Sequence, residues 1–397
     1  MKAAMPSPAV DAYVASCETH SVKPRQYLID TLGQINKEMQ GQQRAGFVNL
    51  AGNSKPLFKN RLTDKDVVCF FDGLDALLPG FSAAEINLSK NRVGIDGVRR
   101  ISEFLKADGV RVEALDLSGN DIDGEGIQSL VEVLKTPVRL EALDVSSNDI
   151  GAKGVMDIVT ALEENRSLTH LNIGQTGFES SSIIALCDIL RHRRNTSLNS
   201  LGLSTPFVSK RSVPCHTIIE HIGLMLKHNQ GIRSLDLTAH RIDDRGAEIL
   251  CAYLCTTDSV EDITLTKNNI GIKGAAAFAA LLVDKNCAVQ HLDLARNNIA
   301  NDGAIALAKG LGRNQTVVDL DLSDNNIENQ GLLDLQRAAT NHGSLRSLRL
   351  FAGNQFGVSA SEYAQEHPLS EEEFGGVQVD FKGFIVDGEV QIARVDI

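Results

Sequence analysis

Residues 289–316 read VQHLDLARNNIANDGAIALAKGLGRNQT, and the same frame returns as LEALDVSSNDIGAKGVMDIVTALEENRS at 140–167 and VEDITLTKNNIGIKGAAAFAALLVDKNCA at 260–288. The shared pattern is L-x-x-L-x-L-x-x-N-x-I-x-x-x-G-x-x-x-L-x-x-x-L. Taking the first residue of the inner L-x-L pair as a marker, copies start at Ile86, Leu115, Leu143, Leu171, Leu201, Leu235, Ile263, Leu292, Leu320 and Leu348, with a weaker copy at Val48–Leu50 and Asn53. Eight of the nine intervals are 28 to 30 residues and one, Leu201 to Leu235, is 34. A fixed period of this size is the mark of a stacked repeat architecture.

Leucines two apart share one face of a strand, so Leu115 and Leu117 point inward and Asp116 points to solvent. The Asn five residues after the marker (Asn91, Asn120, Asn148, Asn268, Asn297, Asn325) carries donors and an acceptor with which to satisfy the backbone as it leaves the strand, stacking as a ladder from coil to coil. Apolar residues at three-to-four spacing follow, such as Ile305, Leu307 and Leu311, and predict an amphipathic helix. Gly126, Gly154, Gly246, Gly274, Gly303 and Gly331 occupy one equivalent position and belong to this frame. One strand and one helix per repeat bury no core alone, but stacked copies make a curved parallel sheet lined by helices. The expectation is an α/β fold forming one solenoid of about eleven repeats over residues 47–357, a helical cap over 1–46 and a C-terminal segment with a β-hairpin over 358–397.

Repeats of 28 and 29 residues with a full helix in each resemble the ribonuclease-inhibitor class of leucine-rich repeats, over Phe47 to Phe356. At the N-terminal end, Tyr13, Cys17, Leu28 and Leu32 lie at helical spacing on either side of Pro24. At the other end, VQVDFKGFIVDGEVQIARVDI alternates apolar and polar residues about the turn pair Asp387-Gly388. This leader resembles that of leucine-rich-repeat proteins of cilia and basal bodies, and VDGEVQIARV resembles the tail of the family of leucine-rich repeat-containing protein 34, a ciliary and nucleolus-associated family. The alternation on both sides of Asp387-Gly388 predicts a hairpin that docks on the last repeat and shields its edge.

Composition narrows the functional class. The 397 residues are 43% apolar and 23% charged, with 33 Gly and 9 Pro, which excludes collagen-like or wholly disordered chains. No run approaches the roughly 18 apolar residues of a membrane helix, and the N-terminus lacks the apolar core of a secretory signal. Seven scattered cysteines without a C-x-x-C pair read as reduced thiols of the cytosol. A net charge of −12 argues against nucleic acid as a partner.

Signatures of catalysis and cofactor binding are missing: there is no G-x-x-x-x-G-K-[ST], H-E-x-x-H, G-x-S-x-G, or G-x-G-x-x-G between a strand and a helix. Cys251 and Cys255 could share a helix face, and Cys215, His216 and His221 cluster, but no second pair completes a zinc ligand set. Core thiols and solvated histidines are the reading; neither an enzyme, a cofactor nor a metal is expected. N-x-[ST] sequons at Asn87, Asn165, Asn195 and Asn314 are expected to be unused in a cytosolic chain.

Two surface features point to protein partners. The residue between the paired leucines is Asp at Asp116, Asp144, Asp236, Asp293 and Asp321, an acidic concave arc that either serves solubility or receives a basic segment. Opposite in sign, the stretch from Arg191 to Arg233 carries Arg191, Arg193, Arg194, Lys210, Arg211, Lys227 and Arg233 against Glu220, a balance of +6, and contains the insertion TPFVSKRSVPCH at 205–216 in place of the Asn turn. The combined reading is a non-enzymatic scaffold of the ciliary or flagellar axoneme and cytoskeleton, with radial-spoke, dynein-regulatory or tubulin components as partners. The alternatives are a cytosolic GTPase-activating or other regulatory leucine-rich-repeat protein and, third, an inhibitor of a secreted nuclease.

Overall fold

The computed structural model describes residues 7–42, 44–192, 194–205, 213–340, 342–350, 353–354, 377–379, 381–386 and 389–394. The chain divides into two compact units, residues 1–189 with 193–201, and 190–192 with 202–397. One continuous solenoid domain was the expectation. The division falls where the period lengthens and the Asn is lost from the frame.

The first unit opens with α1 (Pro8–Thr19) and α2 (Gln26–Gln42), followed by β1 (Ala45–Asn49), α3 (Asp64–Asp75), β2 (Ser82–Asn87), α4 (Ile95–Leu105), β3 (Arg111–Asp116), α5 (Gln128–Leu134), β4 (Ala142–Asp144), α6 (Gly151–Ala161), β5 (His170–Asn172) and α7 (Ser180–Arg191), whose last residues belong to the second unit. Pro24 sits in the turn between α1 and α2, where its fixed φ and missing N–H cost nothing. Ala9, Tyr13 and Cys17 of α1 are fully buried, and α1 approaches α3 so closely that a Cβ on Gly73 would lie 2.8 Å from the Ala9 carbonyl oxygen. The Tyr13 hydroxyl accepts the Arg25 N–H at 3.0 Å, and the Arg25 guanidinium reaches the buried Asp66 carboxylate at 2.7 Å. Behind them Phe71, Phe81 and Phe104 meet edge to face, with centroids 5.1 and 5.2 Å apart. Tyr27 donates its hydroxyl to the Asn49 carbonyl at 2.6 Å, tying α2 to the end of β1.

β1 to β5 pair in parallel, and Val48, Ile86, Leu115, Leu143 and Leu171 stand opposite one another. β6 (Ser200–Gly202) lies at the division. In the second unit α8 (Cys215–His228), β7 (Ser234–Asp236), α9 (Asp244–Leu254), β8 (Asp262–Thr264), α10 (Ile272–Val283), β9 (His291–Asp293), α11 (Ala300–Leu311), β10 (Asp319–Asp321), α12 (Asn329–Thr340) and β11 (Ser347–Arg349) follow. Here Leu235, Ile263, Leu292, Leu320 and Leu348 are in register. The frame leucines, isoleucines and valines supply the core of both units.

The expected Asn ladder is present, and its chemistry is specific. Asn148 Nδ2 donates to Val145 O of its own coil and to Leu117 O of the preceding one, both at 2.9 Å, while its Oδ1 accepts from the Asn120 and Ile122 N–H groups. Asn297 repeats this with Leu294 O, Leu265 O and the Ile270 N–H. Asn354 supplies the rung after Asn325, one residue later in the frame, and accepts from the Asn325 and Ile327 N–H groups. Where the frame lacks Asn, Thr176 donates to Ile173 O at 2.6 Å and His240 Nε2 lies 2.7 Å from Leu203 O, both residues fully buried. A second ladder, missed from the sequence, precedes the strands: Asn165, Asn195 and Asn314 donate to Leu134 O, Leu162 O and Leu282 O. Their Oδ1 atoms accept from the amides two and three residues on, so the Ser or Thr two residues on belongs to the same turn. Three of the four sequons are therefore buried turns.

At the C-terminal end the expected hairpin forms, with β13 (Phe381–Val386) antiparallel to β14 (Glu389–Arg394); its turn pair Asp387-Gly388 lies outside the described residues. Its strands pair with each other, and the strand that covers the edge of β11 is instead β12 (Gln378–Val379), in parallel, with Val377 buried beside it. The edge of β11 is thus shielded by the tail through β12, just ahead of the hairpin, and the parallel register runs one strand further. The strands also outrun the expected solenoid boundaries, β1 starting at Ala45 in the first unit and β12 ending at Val379 in the second.

The frame glycine answers to helix spacing. On Gly303 a Cβ would lie 2.7 Å from Ile299 Cγ2 and 3.0 Å from the Ala275 Cβ of the preceding coil. Gly303→Ala is expected to destabilise the chain by about 1–3 kcal/mol through overpacking, read as a lower denaturant midpoint at unchanged slope.

Candidate functional site

The outward face of each unit's sheet presents two residues per strand, one on each side of the marker. The residue after it is the Asp or Asn of the acidic arc, and it has a structural duty that the sequence reading did not assign. Asp116, Asp144, Asp236, Asp293 and Asp321 each accept, through Oδ1, the backbone N–H two residues on, at 2.8–2.9 Å. Asn49, Asn87 and Asn172 make the same bond. This is an Asx turn closing the strand. The second oxygen of each carboxylate is what remains for other work.

In the first unit the two rows are Phe47, Glu85, Ala114, Ala142, His170 and Asn49, Asn87, Asp116, Asp144, Asn172, paired in that order across β1 to β5. Phe47 is 55% exposed, an aromatic ring standing in solvent beside Glu85, and the two alanines leave the sheet low between it and His170. Among the described residues no ion pair reaches Glu85, Asp116 or Asp144; the nearest help is the Asn172 amide, which donates to Asp144 Oδ2 at 2.9 Å. Burial raises the carboxyl pKa of Asp144 and of Glu85 above the ordinary range, and the neighbouring Asp116 charge adds to both.

The second unit gives some of its outward carboxylates partners of their own. Arg349 reaches Asp321 at 3.2 Å, and His291 sits between Asp319, 2.5 Å from Nδ1, and Asp262, 3.7 Å from Nε2. Asp293 is held above the ordinary range by burial and the Asp321 charge, against its amide bond to Ala295 and the nearby Arg349. These side chains line a recess of about 210 Å³ with Thr264 and Ser347. Sequence reading missed Phe47, Glu85, Asp262, His291 and Asp319 because it followed only the residue between the leucines. Strand alternation puts the residue before the marker on the same face, and that signal was available.

The basic stretch is only partly described. Arg191 lies in the last turn of α7; Arg194 is paired with Glu163 at 2.9 Å and lies 4.0 Å from Asp188. Arg193, Lys210 and Arg211 lie outside the described residues. Cys17, Cys69, Cys187, Cys251 and Cys287 are buried, and Cys215 and Cys255 partly so. Burial pushes the Cys69 thiol up to about 11 and Cys187 up to about 12, so neither is a thiolate at neutral pH. Among the described residues no group of three or more His, Cys, Asp or Glu is placed to hold a metal ion, and no helix is long and apolar enough to cross a membrane.

Replacing Asp116 and Asp144 together by Asn keeps both Asx turns and removes two adjacent charges, which is expected to stabilise the chain by a few tenths of a kcal/mol up to roughly 1 at pH 7. Because the folded state raises the pKa of Asp144, the wild-type carboxyl is most favourable below its unfolded value and its contribution is lost as pH rises through the folded one. The advantage of the variant therefore shrinks as pH falls toward about 4. Asp144→Ala, which loses the turn, is expected to cost about 1 kcal/mol. Thermal melts at pH 7 and pH 4 check both.

Comparison with known proteins agrees with the repeat assignment. The leucine-rich-repeat family model matches residues 112–131, 140–159, 164–187, 228–251, 285–308 and 313–335. A 139-residue stretch is 30% identical to the mouse NACHT, LRR and PYD domains-containing protein 12, covering 35% of this chain and 12% of that protein. Among solved structures, the yeast Rad7–Elc1 complex has 14% identity over 94% of this chain and 91% of that one, with a TM-score of 0.49. The Arabidopsis receptor kinase HAESA, solved with the peptide hormone IDA and the co-receptor SERK1, has 18% identity over 73% of this chain and 40% of that one, with a TM-score of 0.37. With its parallel strands, its alternating helices and its laddered asparagines, the chain carries leucine-rich repeats folded as an α/β solenoid.

Proposed function

We propose that this protein is a non-enzymatic interaction scaffold that receives a basic segment of a partner protein on the outward sheet face of its first unit. One observation carries the reading: Glu85, Asp116 and Asp144 hold like charge on adjacent strands with no ion pair to meet it among the described residues, beside an aromatic ring left in solvent. Like charges side by side cost stability in the free protein, and a partner's Lys or Arg recovers it, while an apolar side chain of the same segment would cover Phe47. The second unit, whose carboxylates are met by Arg349 and His291, offers less to a cation. The basic stretch is the weaker candidate, since Arg194 already has its partner.

The assembly we propose is the ciliary or flagellar axoneme, on the strength of the resemblance of the leader around Tyr13 and Cys17 and of the tail string VDGEVQIARV to ciliary leucine-rich-repeat proteins. Radial-spoke, dynein-regulatory and tubulin components are the partners to examine. The test is extraction from ciliated cells expressing the wild type or the triple variant F47S/D116N/D144N. The wild type is expected in the detergent-insoluble axonemal fraction, with the variant released at lower salt, as befits contacts between charges screened over ~8 Å at physiological ionic strength. Wild type recovered wholly in the soluble fraction overturns the axonemal assignment. Superimposable extraction curves overturn the assignment of the face.

A further inference from the structure

The turn before β11 departs from the second ladder in one respect. The position held by Asn165, Asn195 and Asn314 in other repeats is His342. Its Nδ1 does what the Asn Oδ1 does, accepting the Leu345 N–H at 2.9 Å and the Ser344 N–H at 3.3 Å, as Asn314 Oδ1 accepts from Val317 at 2.7 Å and Thr316 at 2.9 Å. An imidazole nitrogen accepts only without a proton, so the ring is the neutral Nε2–H tautomer. Nε2 is buried and meets no acceptor among the described residues.

That arrangement is built for the neutral ring alone. A proton on Nδ1 would point a third N–H at two backbone donors, with only the Ser344 hydroxyl, 3.3 Å away and itself donating to the Val317 carbonyl, to turn to, and the new charge would sit on a ring whose other nitrogen is cut off from water. The ionisable side chains on the surrounding elements are Asp334 and Arg337 of α12, Arg313 ahead of the preceding turn, Asp319 and Asp321 of β10, and Arg346 and Arg349 at β11. Asp334 faces Arg337 and Asp321 faces Arg349, and Asp319 lies 2.5 Å from the His291 ring, so each of these carboxylates already has another partner. Burial accordingly holds the imidazole pKa below its ordinary value.

The consequence reaches the recess. Ser344 and Leu345 lead directly into β11, which supplies Ser347 and Arg349 to its wall and pairs with β10 on one side and β12 on the other. We propose that His342 is an acid-sensitive latch on the last repeat: protonating Nδ1 opens the turn at Ser344 and Leu345, loosens β11 and withdraws Arg349 from Asp321. The device is independent of which partner the first unit receives. A folded-state pKa below the unfolded one means that the stabilisation by His342 is complete above about pH 6.5 and is lost as pH falls through the folded value.

The test uses the full chain and H342N, which restores the rung chemistry of Asn314 without a titrating group. Lowering the pH from 7.5 to 5 is expected to reduce the thermal midpoint of the wild type by roughly 2–4 °C more than that of H342N. In histidine-labelled protein the His342 ring is expected to titrate below the ordinary value of about 6.5, and the amide resonances of Ser344, Leu345 and Ser347–Arg349 to shift with the same midpoint. Equal acid loss in the two proteins overturns the proposal. So do amides of β11 that ignore the His342 titration, a readout that stands even where the variant folds poorly.

Discussion

A buried carboxamide that bonds to two successive coils is the constraint from which the rest of this structure follows. Each rung of the Asn ladder donates to a carbonyl of its own coil and to one of the coil before, and accepts an amide from that same neighbour. Leaving such a buried group unmet costs about 1–3 kcal/mol, so the distance from paired leucines to Asn is pinned in each repeat. The ladder also sustains a backbone conformation that side chains otherwise avoid. The residue just ahead of the rung is left-handed in repeat after repeat, at Lys90, Ser147, Gln175, Ala239, Lys267, Arg296 and Asp324. Left-handed geometry costs a non-glycine residue roughly 1–2 kcal/mol. Only a turn fixed from both sides holds so many of them.

The outward Asp positions show how a repeat protein acquires a surface without disturbing its frame. The Asx turn at the strand end needs one side-chain oxygen, and Asp and Asn supply it equally well, as Asp144 and Asn172 do on neighbouring strands. The choice between them is free of the fold. It sets the charge of the outward face one strand at a time. The residue before the marker, bound by no turn, ranges over Phe47, Glu85, Ala114 and His291.

The repeat frame made the architecture legible in advance, because two-residue and three-to-four-residue apolar spacing alternate cleanly and the period hardly varies. Positions were legible too: the markers are the residues found in register, and the frame glycines, Gly246 apart, lie against the preceding coil. What stayed hidden depends on bonds whose partners lie a full repeat away. Asn165 and Asn314 look like glycosylation sequons until Leu134 O and Leu282 O are seen to receive them. Thr176, His240 and Asn354 fill rungs with other residue types or one place late. The Asp residues of the two units look alike in sequence, and only the cross-strand positions of Arg349 and His291 tell them apart. The division into two units was visible only indirectly, as the long interval and the insertion that replaces the Asn turn there.

Stacking consumes most of the polar chemistry this chain possesses. Most of the buried asparagines are spent on ladders, the serines and threonines beside them on the turns, and most of the thiols on apolar packing. Functional side chains must therefore sit where stacking has no claim, on the outward sheet face and in the loops, or where a ladder position tolerates a residue that does slightly more than asparagine. Histidine at position 342 is the second case. The turn into β11 needs an acceptor at that site and nothing else, since the Leu311 carbonyl of the coil before already receives the Asn314 N–H. An imidazole fulfils that one duty while bringing a proton equilibrium that asparagine lacks, so acid response enters at the cheapest rung of the ladder, beside the strand that carries Arg349.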